Sequence, residues 1–154
     1  KYCAAAVGEV NVVTKMKETH TVIGGEGNGG VIYPESHYGR DALVGVGLFL
    51  SHFVAEGKSM TALKATYPQY FISKNKLTLS PEMNVDKILE GLKQKYASEE
   101  ITDIDGVKID FKDGWVHLRK SNTEPIIRIY SESKDEAAAN QLAEEVIKVA
   151  KSLY

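Results

Sequence analysis

The chain has 154 residues, of which 43% are hydrophobic and 26% are charged. These proportions are ordinary for a globular protein, and the length allows one domain of typical size or two small ones. The net charge of −2 excludes a global field that would draw the protein to nucleic acid or to a membrane, so any anion binding must come from local geometry. No apolar run approaches the ~20 residues of a membrane span. The single cysteine, Cys3, excludes an internal disulfide and fits a reducing compartment, so we expect a cytoplasmic protein.

The first residue is Lys1 rather than Met, and it stands in the middle of an apolar pattern. We therefore expect the chain to be a piece of a longer protein. Mixed apolar spacing predicts a short helix over 11–19. Short apolar runs predict strands at 21–23 and 31–33, and residues 34–40 form a polar connection.

A glycine-rich segment separates these two predicted strands. Gly24-Gly-Glu-Gly-Asn-Gly-Gly30 has five glycines in seven residues, a composition that suits positive φ or the close approach of another group. It does not open a helix as a dinucleotide-binding or Walker loop would. The carboxylate of Glu26 is a poor phosphate ligand but a good acceptor for sugar hydroxyls. A flexible hairpin without a ligand is the alternative.

A long apolar helix follows the polar connection. Asp41 can cap it, and the run over 42–50 is apolar nearly all round, which predicts a helix buried on most sides. Gly57 is expected to end this helix. Ser59 can cap a second, shorter helix over 60–66.

The middle of the chain contains the predicted domain boundary. Residues 70–72 and 76–79 are short extended pieces, and the polar stretch between them suits a linker. The predicted boundary therefore lies within 73–80, which gives domains at 1–75 and 76–154.

The second half has a clearer plan. Asn84 opens a helix with an apolar stripe, whose members are Val85, Ile88, Leu89, Leu92 and Tyr96. Asp-Gly pairs at 105–106 and 113–114 separate alternating runs and predict hairpins. The predicted strands are 101–104, 107–111, 115–118 and 126–131.

The chain ends on a predicted helix over 134–152, which a capping box of Ser133 and Glu136 begins. A helix, three or four antiparallel strands and a helix form an α+β layer with the helices on one face.

Asp103 and Asp105 do not supply the converging oxygens that a metal ion prefers, so we interpret them as a solvated turn. His117 is predicted on the sheet face opposite the core.

A polar loop between the last two predicted strands concentrates groups that bind anions. Arg119 offers a planar fork of donors, Ser121 and Thr123 offer hydroxyls, and Asn122 offers an amide. Successive backbone N–H groups in a tight loop can also hold an anion. An ordinary polar hairpin loop with a surface arginine is the alternative.

The order of residues in this loop resembles a known family. Arg-x-Ser-Asn-Thr-Glu-Pro, with an arginine at the third position after proline, is similar to the phosphate-binding loop in the C-terminal domain of the phosphohexomutases. Upstream, the segment at 25–30 resembles the sugar-specificity loop of their third domain, commonly Gly-Glu-x-Ser-Gly-His. Here Asn28 replaces the serine and Gly30 replaces the histidine.

The resemblance implies a fold for each half. Residues 1–75 are expected to be the later part of an α/β third domain. Residues 76–154 are expected to be a complete α+β C-terminal domain, an antiparallel sheet with two helices that is similar to the TATA-binding-protein superfamily, without DNA binding.

The resemblance also implies a reaction, the interconversion of hexose 1-phosphate and hexose 6-phosphate. The family's phosphoserine and Mg²⁺ loops do not occur in this sequence, so catalytic residues and metal ligands are expected in N-terminal domains of the full-length enzyme, which would use Mg²⁺ as its cofactor. The implied partners are a hexose phosphate and those domains.

The implied phosphate-binding residues are Arg119, Ser121, Asn122 and Thr123. The implied sugar-binding residues are Glu26, Asn28 and, more weakly, Glu9. Glu124 and Arg128 are expected to shape the loop.

Two other functions are compatible with the sequence. One is a stand-alone phosphosugar-binding module without catalysis, which a start codon near Lys1 in the reading frame would favour. The other is a structural α+β domain whose loop binds sulfate or no ligand.

Overall fold

The computed structural model describes residues 2–121 and 123–153. The chain forms two compact units, 1–68 and 69–154. Within the described ranges, none of the helices combines the length and the apolar character needed to cross a lipid bilayer.

The first unit contains a small three-stranded antiparallel sheet and three helices. Its elements are α1 (Glu9–Thr19), β1 (Gly24–Gly25), β2 (Val31–Tyr33), β3 (His37–Arg40), α2 (Ala42–Glu56) and α3 (Met60–Lys64). The sheet order is β1-β2-β3. Its buried apolar residues include Met16, Ile32 and Leu63. Gly24 has no room for a side chain, because a Cβ there would collide with the sulfur of Met16.

Two strand predictions in this unit are wrong. The strand expected at 21–23 instead occupies Gly24–Gly25, because residues 20 and 21 complete the C-terminal end of α1. His20 adopts a left-handed backbone with φ of 50°, and the N–H of Thr21 donates to Met16 O at 3.1 Å. The polar connection expected over 34–40 contains β3, which pairs with β2.

The helix α2 begins and ends as predicted but is far less buried than expected. Asp41 Oδ1 accepts hydrogen bonds from the N–H groups of the first turn at 2.9 and 3.0 Å, and Gly57 ends the helix with φ of 61°. In the described part of the chain, however, no residue of α2 is buried, and Leu43 is 83% exposed. One side of the helix meets β2, where Gly45 lies against Val31. An all-round apolar sequence predicts burial only where other chain segments cover each side.

The second unit is a five-stranded antiparallel sheet covered on one face by two helices. Its elements are β4 (Phe71–Thr78), α4 (Val85–Lys95), β5 (Glu100–Thr102), β6 (Val107–Phe111), β7 (Gly114–Lys120), β8 (Ile126–Ser133) and α5 (Glu136–Lys151). The strand order is β4-β8-β7-β6-β5. The Asp-Gly hairpins are confirmed, and Gly106 adopts φ of 78° at its turn.

The core of the second unit lies between the sheet and the two helices. On β8, Ile127 and Ile129 are fully buried, so the side chains between them point to the opposite face of the sheet. The stripe predicted on α4 contacts this core. The buried members are Leu77, Val85, Ile88, Leu92, Val107, Ile109, Val116, Leu118, Ile127, Ile129, Val146 and Ala150. As predicted, His117 lies on the face opposite this core, where its Nε2 is 2.6 Å from Asp105 O.

The linker predicted over 73–80 is wrong, since residues 71–78 form the single continuous strand β4. Every residue of β4 has a partner on β8, from Phe71 opposite Ser133 to Thr78 opposite Ile126. The proposed boundary at 75/76 therefore falls inside a strand. The stretch is polar because β4 is an edge strand. Asn75 Nδ2 donates to Ser73 Oγ at 2.9 Å, and Ser73 Oγ donates to Asn140 Oδ1 on α5 at 2.5 Å.

The predicted capping box at the start of α5 is also wrong. Asp135 is the N-cap, and its Oδ1 accepts from Ala138 N at 2.8 Å. Ser133 is the last residue of β8 and is buried. Its Oγ donates to Asp113 O at 2.6 Å, so the hydroxyl fastens the β6–β7 hairpin and does not cap the helix.

Candidate functional site

The polar loop predicted from the sequence connects β7 to β8. Ser121 N donates to Ile126 O at 2.9 Å, which closes the loop where the two strands separate. At the far side, the carbonyl of Pro125 accepts from Leu79 N at 2.9 Å. The loop is therefore fixed both to its own hairpin and to the segment that follows the edge strand β4.

The hydroxyl of Ser121 organises the inside of this loop. The residue is 7% exposed, and its Oγ accepts from Thr123 N at 3.4 Å and from Glu124 N at 3.3 Å. Thr123 Oγ1 lies 3.4 Å from the same oxygen. These contacts are at the long limit for hydrogen bonds. They place two backbone N–H groups and two hydroxyls in one small region of the loop. Asn122, also predicted to bind phosphate, lies outside the described residues.

Arg119 and Arg128 lie directly opposite each other on neighbouring strands. Arg119 is the cross-strand partner of Arg128, and Lys76 on β4 is the partner of Arg128 on its other side. We call these three residues the cationic row. Their strand neighbours Leu77, Leu118 and Ile127 are buried, so the row lies on the sheet face away from the helices.

Like charges opposed across strands destabilise a sheet, and two carboxylates offset this row in part. Arg119 Nη1 lies 3.4 Å from Asp105 Oδ2, and Arg128 Nη2 lies 3.5 Å from Glu124 Oε2. Both distances are long for a charge-assisted hydrogen bond. The Arg119 side chain is 27% exposed, so part of it is accessible to solvent. Three cations face two carboxylates, which leaves an excess positive charge beside the loop.

A second cluster, in the first unit, contains the carboxylates predicted to bind sugar. Glu26 lies in the turn between β1 and β2, and its side chain is 16% exposed. Its Oε1 accepts from Gly8 N at 3.3 Å, and its Oε2 is 3.9 Å from Arg40 Nη1. Asn28 braces the same turn, since its Oδ1 accepts from Gly30 N at 3.0 Å.

Glu9, the first residue of α1, contacts the same arginine. Its Oε2 accepts from Arg40 Nε at 2.9 Å, and its Oε1 accepts from Arg40 N at 3.2 Å. The backbone N–H of Arg40, followed by its guanidinium, lowers the pKa of Glu9. The structure thus brings Glu9 and Glu26 together around Arg40. We call these three residues the Glu9–Arg40–Glu26 cluster.

Arg40 and Lys76 were not singled out by the sequence. Arg40 is separated from Glu9 by 31 positions, too far for any periodic pattern to connect them. Lys76 was assigned to a linker, and only the pairing of β4 with β8 places it beside Arg128. A charge argument leads to Arg40, because a shielded carboxylate requires a counter-charge. No such argument leads to Lys76, which is itself a cation beside two arginines.

The acidic side chains of the described residues do not form a metal site. Across residues 2–121 and 123–153, no three His, Cys, Asp or Glu side chains converge to hold a metal ion. Asp103 Oδ2 instead lies 3.3 Å from Lys93 Nζ. The described residues therefore do not fit a magnesium site of their own.

Comparison with known proteins identifies the family. Residues 1–70 match the model of the phosphoglucomutase/phosphomannomutase alpha/beta/alpha domain III, and residues 75–149 match the model of the C-terminal domain of the same proteins. The chain belongs to the phosphoglucomutase/phosphomannomutase family. The family resemblance and the predicted fold class, α/β followed by α+β, are confirmed.

Curated relatives and a solved structure of the phosphoglucomutase/phosphomannomutase family agree with this assignment. The phosphoglucosamine/phosphogalactosamine mutase of Sulfurisphaera tokodaii is 39% identical over 93% of this chain and 32% of its own length. The phosphoglucomutase/phosphomannomutase of Thermococcus kodakarensis is 38% identical over 97% of this chain and 33% of its own length. A crystal structure of a family protein from Burkholderia thailandensis superposes with a TM-score of 0.70 at 26% identity, covering 94% of this chain and 32% of that one. The chain therefore spans about a third of the length of these relatives.

Proposed function

We propose that this chain is part of an enzyme that interconverts hexose 1-phosphate and hexose 6-phosphate, and that the β7–β8 loop holds the phosphate that is not reacting. The observation that carries the proposal is the cationic row beside the loop. Opposed arginines cost stability in the absence of an anion. A phosphate dianion would relieve that repulsion and accept hydrogen bonds from the guanidinium fork.

The remaining donors of the loop suit the same ligand. Ser121 and Thr123 place hydroxyls and backbone N–H groups within one small region, and their mutual contacts are long enough to be exchanged for contacts with phosphate oxygens. Asn122 completes the proposed set from the sequence alone. Glu26 and Asn28 are proposed to accept from and donate to sugar hydroxyls, with Glu9 beside them.

The chemical step is assigned to other parts of the full-length enzyme. A phosphoserine and a magnesium ion outside this chain would supply the phosphoryl transfer, in which charge stabilisation dominates. The residues of this chain would bind and orient the sugar phosphate, and would keep one phosphate away from the serine while the other reacts. A cytoplasmic location, supported by the single cysteine, is part of the proposal.

Kinetics of the full-length enzyme test the proposal. The wild-type protein should turn over at least one member of a panel of glucose, mannose and glucosamine phosphates. Arg119→Met should reduce kcat/KM by about 10- to 150-fold, the equivalent of the ~1.5–3 kcal/mol contributed by a hydrogen bond to a charged group. Lys87→Met is the matched control, because Lys87 is exposed on α4, on the other side of the sheet.

Two results would contradict the proposal. The first is turnover by the 154-residue chain alone, which would place the chemistry within it. The second is full activity of the Arg119→Met enzyme. If the full-length protein binds hexose phosphates but turns over none of the panel, the non-catalytic binding module replaces the mutase as the better account.

A further inference from the structure

Arg40 joins three separate segments of the first unit. It is the last residue of β3, Glu9 is the first residue of α1, and Glu26 lies in the turn between β1 and β2. One guanidinium reaches both carboxylates, with Nε 2.9 Å from Glu9 Oε2 and Nη1 3.9 Å from Glu26 Oε2. The planar guanidinium holds its donors in a rigid fork, so it can contact two carboxylates in a defined geometry.

Glu26 depends on this arginine because its carboxylate is shielded from water. Its side chain is 16% exposed, and its other contact is the N–H of Gly8 at 3.3 Å. A shielded carboxylate needs a charge partner and hydrogen bonds to be held in one orientation. Both oxygens of Glu9, by contrast, are engaged by Arg40, so Glu9 acts mainly to hold the arginine.

The absence of a side chain at position 30 is part of the same arrangement. A Cβ built on Gly30 would lie 2.7 Å from Arg40 Cδ, 3.2 Å from Asn28 Oδ1 and 3.3 Å from Arg40 Cγ, so the closest collision is with the arginine stem. The stem of Arg40 therefore occupies the space into which a larger residue at position 30 would extend. Glycine at 30 allows Arg40 to pass beside the turn and reach Glu26.

We propose that Arg40 is a positioning residue for sugar recognition, fixing the Glu26 carboxylate so that it accepts from the hydroxyls of the bound hexose phosphate. Glu9 anchors Arg40 in this arrangement. The inference rests on the proposed function, since it takes Glu26 as a sugar-binding group. It adds a residue that the sugar-binding prediction did not contain.

Steady-state kinetics of the full-length enzyme test this inference. Arg40→Met keeps the length of the side chain and removes the charge and the donors. It should raise KM for the hexose 1-phosphate substrate by about tenfold, the lower end for a lost hydrogen bond to a charged group, with kcat changed by less than about twofold. Arg40→Lys keeps the charge without the fork and should give an intermediate KM.

Gly30→Ala provides a second variant that leaves Arg40 in the sequence. The added methyl would displace the arginine stem, so KM should rise as in Arg40→Met. Gly47→Ala is the matched control, because a Cβ at Gly47, on α2, meets nothing within 4 Å. Thermal unfolding of each variant shows whether it is folded under the assay conditions.

Unchanged KM in folded Gly30→Ala and Arg40→Met enzymes would overturn the inference. A parallel fall of kcat with no change in KM would also overturn it, because a loss of sugar positioning acts on binding. Both results leave the proposed function intact if the wild-type enzyme turns over hexose phosphates and Arg119→Met impairs it. Failure of the wild-type enzyme to bind or turn over any hexose phosphate would instead remove the proposed function itself.

Discussion

The cationic row leads to a prediction about how phosphate changes the stability of the chain. In the absence of phosphate, Arg128→Met should change the free energy of unfolding by less than about 1 kcal/mol. The variant loses an exposed ion pair with Glu124 at 3.5 Å, a contact worth about 0–1 kcal/mol. It also relieves the repulsion from Arg119 across the strands, a term of about 0.2–1 kcal/mol with the opposite sign.

Phosphate should separate the variants much more clearly. At a phosphate concentration 100 times the dissociation constant of the wild-type chain, binding stabilises the folded state by about 2.7 kcal/mol. A variant that binds tenfold more weakly retains about 1.4 kcal/mol of this effect, and one that binds a hundredfold more weakly retains about 0.4 kcal/mol. Arg119→Met should fall within or below this range, because it removes a guanidinium fork from the cationic row.

The assay is denaturant unfolding of the 154-residue chain with and without inorganic phosphate. Sodium chloride at matched ionic strength separates specific binding from general screening of the cationic row. Lys87→Met should respond to phosphate as the wild type does. Equal phosphate stabilisation of the wild-type and Arg119→Met chains would refute the reasoning, as would phosphate stabilisation that chloride reproduces.

Three further predictions concern the fold. Ile129→Ala should lower the free energy of unfolding by about 2–5 kcal/mol in denaturant titrations, because Ile129 is fully buried and the change leaves a cavity. Asn84→Ala should cost about 1 kcal/mol in the same assay, because the Asn84 side chain accepts a backbone N–H of α4 at 3.1 Å, while Asn84→Ser should recover most of the loss. For Glu9, the folded-state pKa is below the ordinary value of 4.5, so its stabilising contribution is complete above about pH 4.5 and is lost as pH falls through the lower folded pKa. The difference in Tm between the wild type and Glu9→Gln should therefore shrink towards zero on acidification, and a constant difference across that range would contradict the pairing with Arg40.

Sequence patterns predicted the elements whose causes are local. The Asp-Gly turn at 105–106 determines a hairpin because Gly106 can adopt φ of 78°. The apolar stripe on α4 follows from helical spacing, and Leu92 is fully buried as a result. The β7–β8 loop was predicted in place because polar residues interrupt two alternating runs.

Contacts between distant residues were not predictable in the same way. The strand β4 is polar because it lies at a sheet edge, and its partner β8 follows about fifty residues later. Arg40 could not be linked to Glu9 and Glu26 by spacing, because three separate segments meet at that point. The roles of Arg119, Ser121 and Thr123 in phosphate binding stay predictions.

The most direct test of the central claim is a crystal structure of the full-length enzyme with a hexose 1-phosphate bound. We predict that the phosphate of this ligand, held away from the reacting serine, accepts hydrogen bonds from the Arg119 guanidinium and from the loop that begins at Ser121. We also predict that the 3.4 Å contact between Arg119 and Asp105 lengthens or breaks as the arginine turns to the ligand. A structure in which the phosphate of the ligand lies away from this loop, with Arg119 still paired to Asp105, would contradict the account.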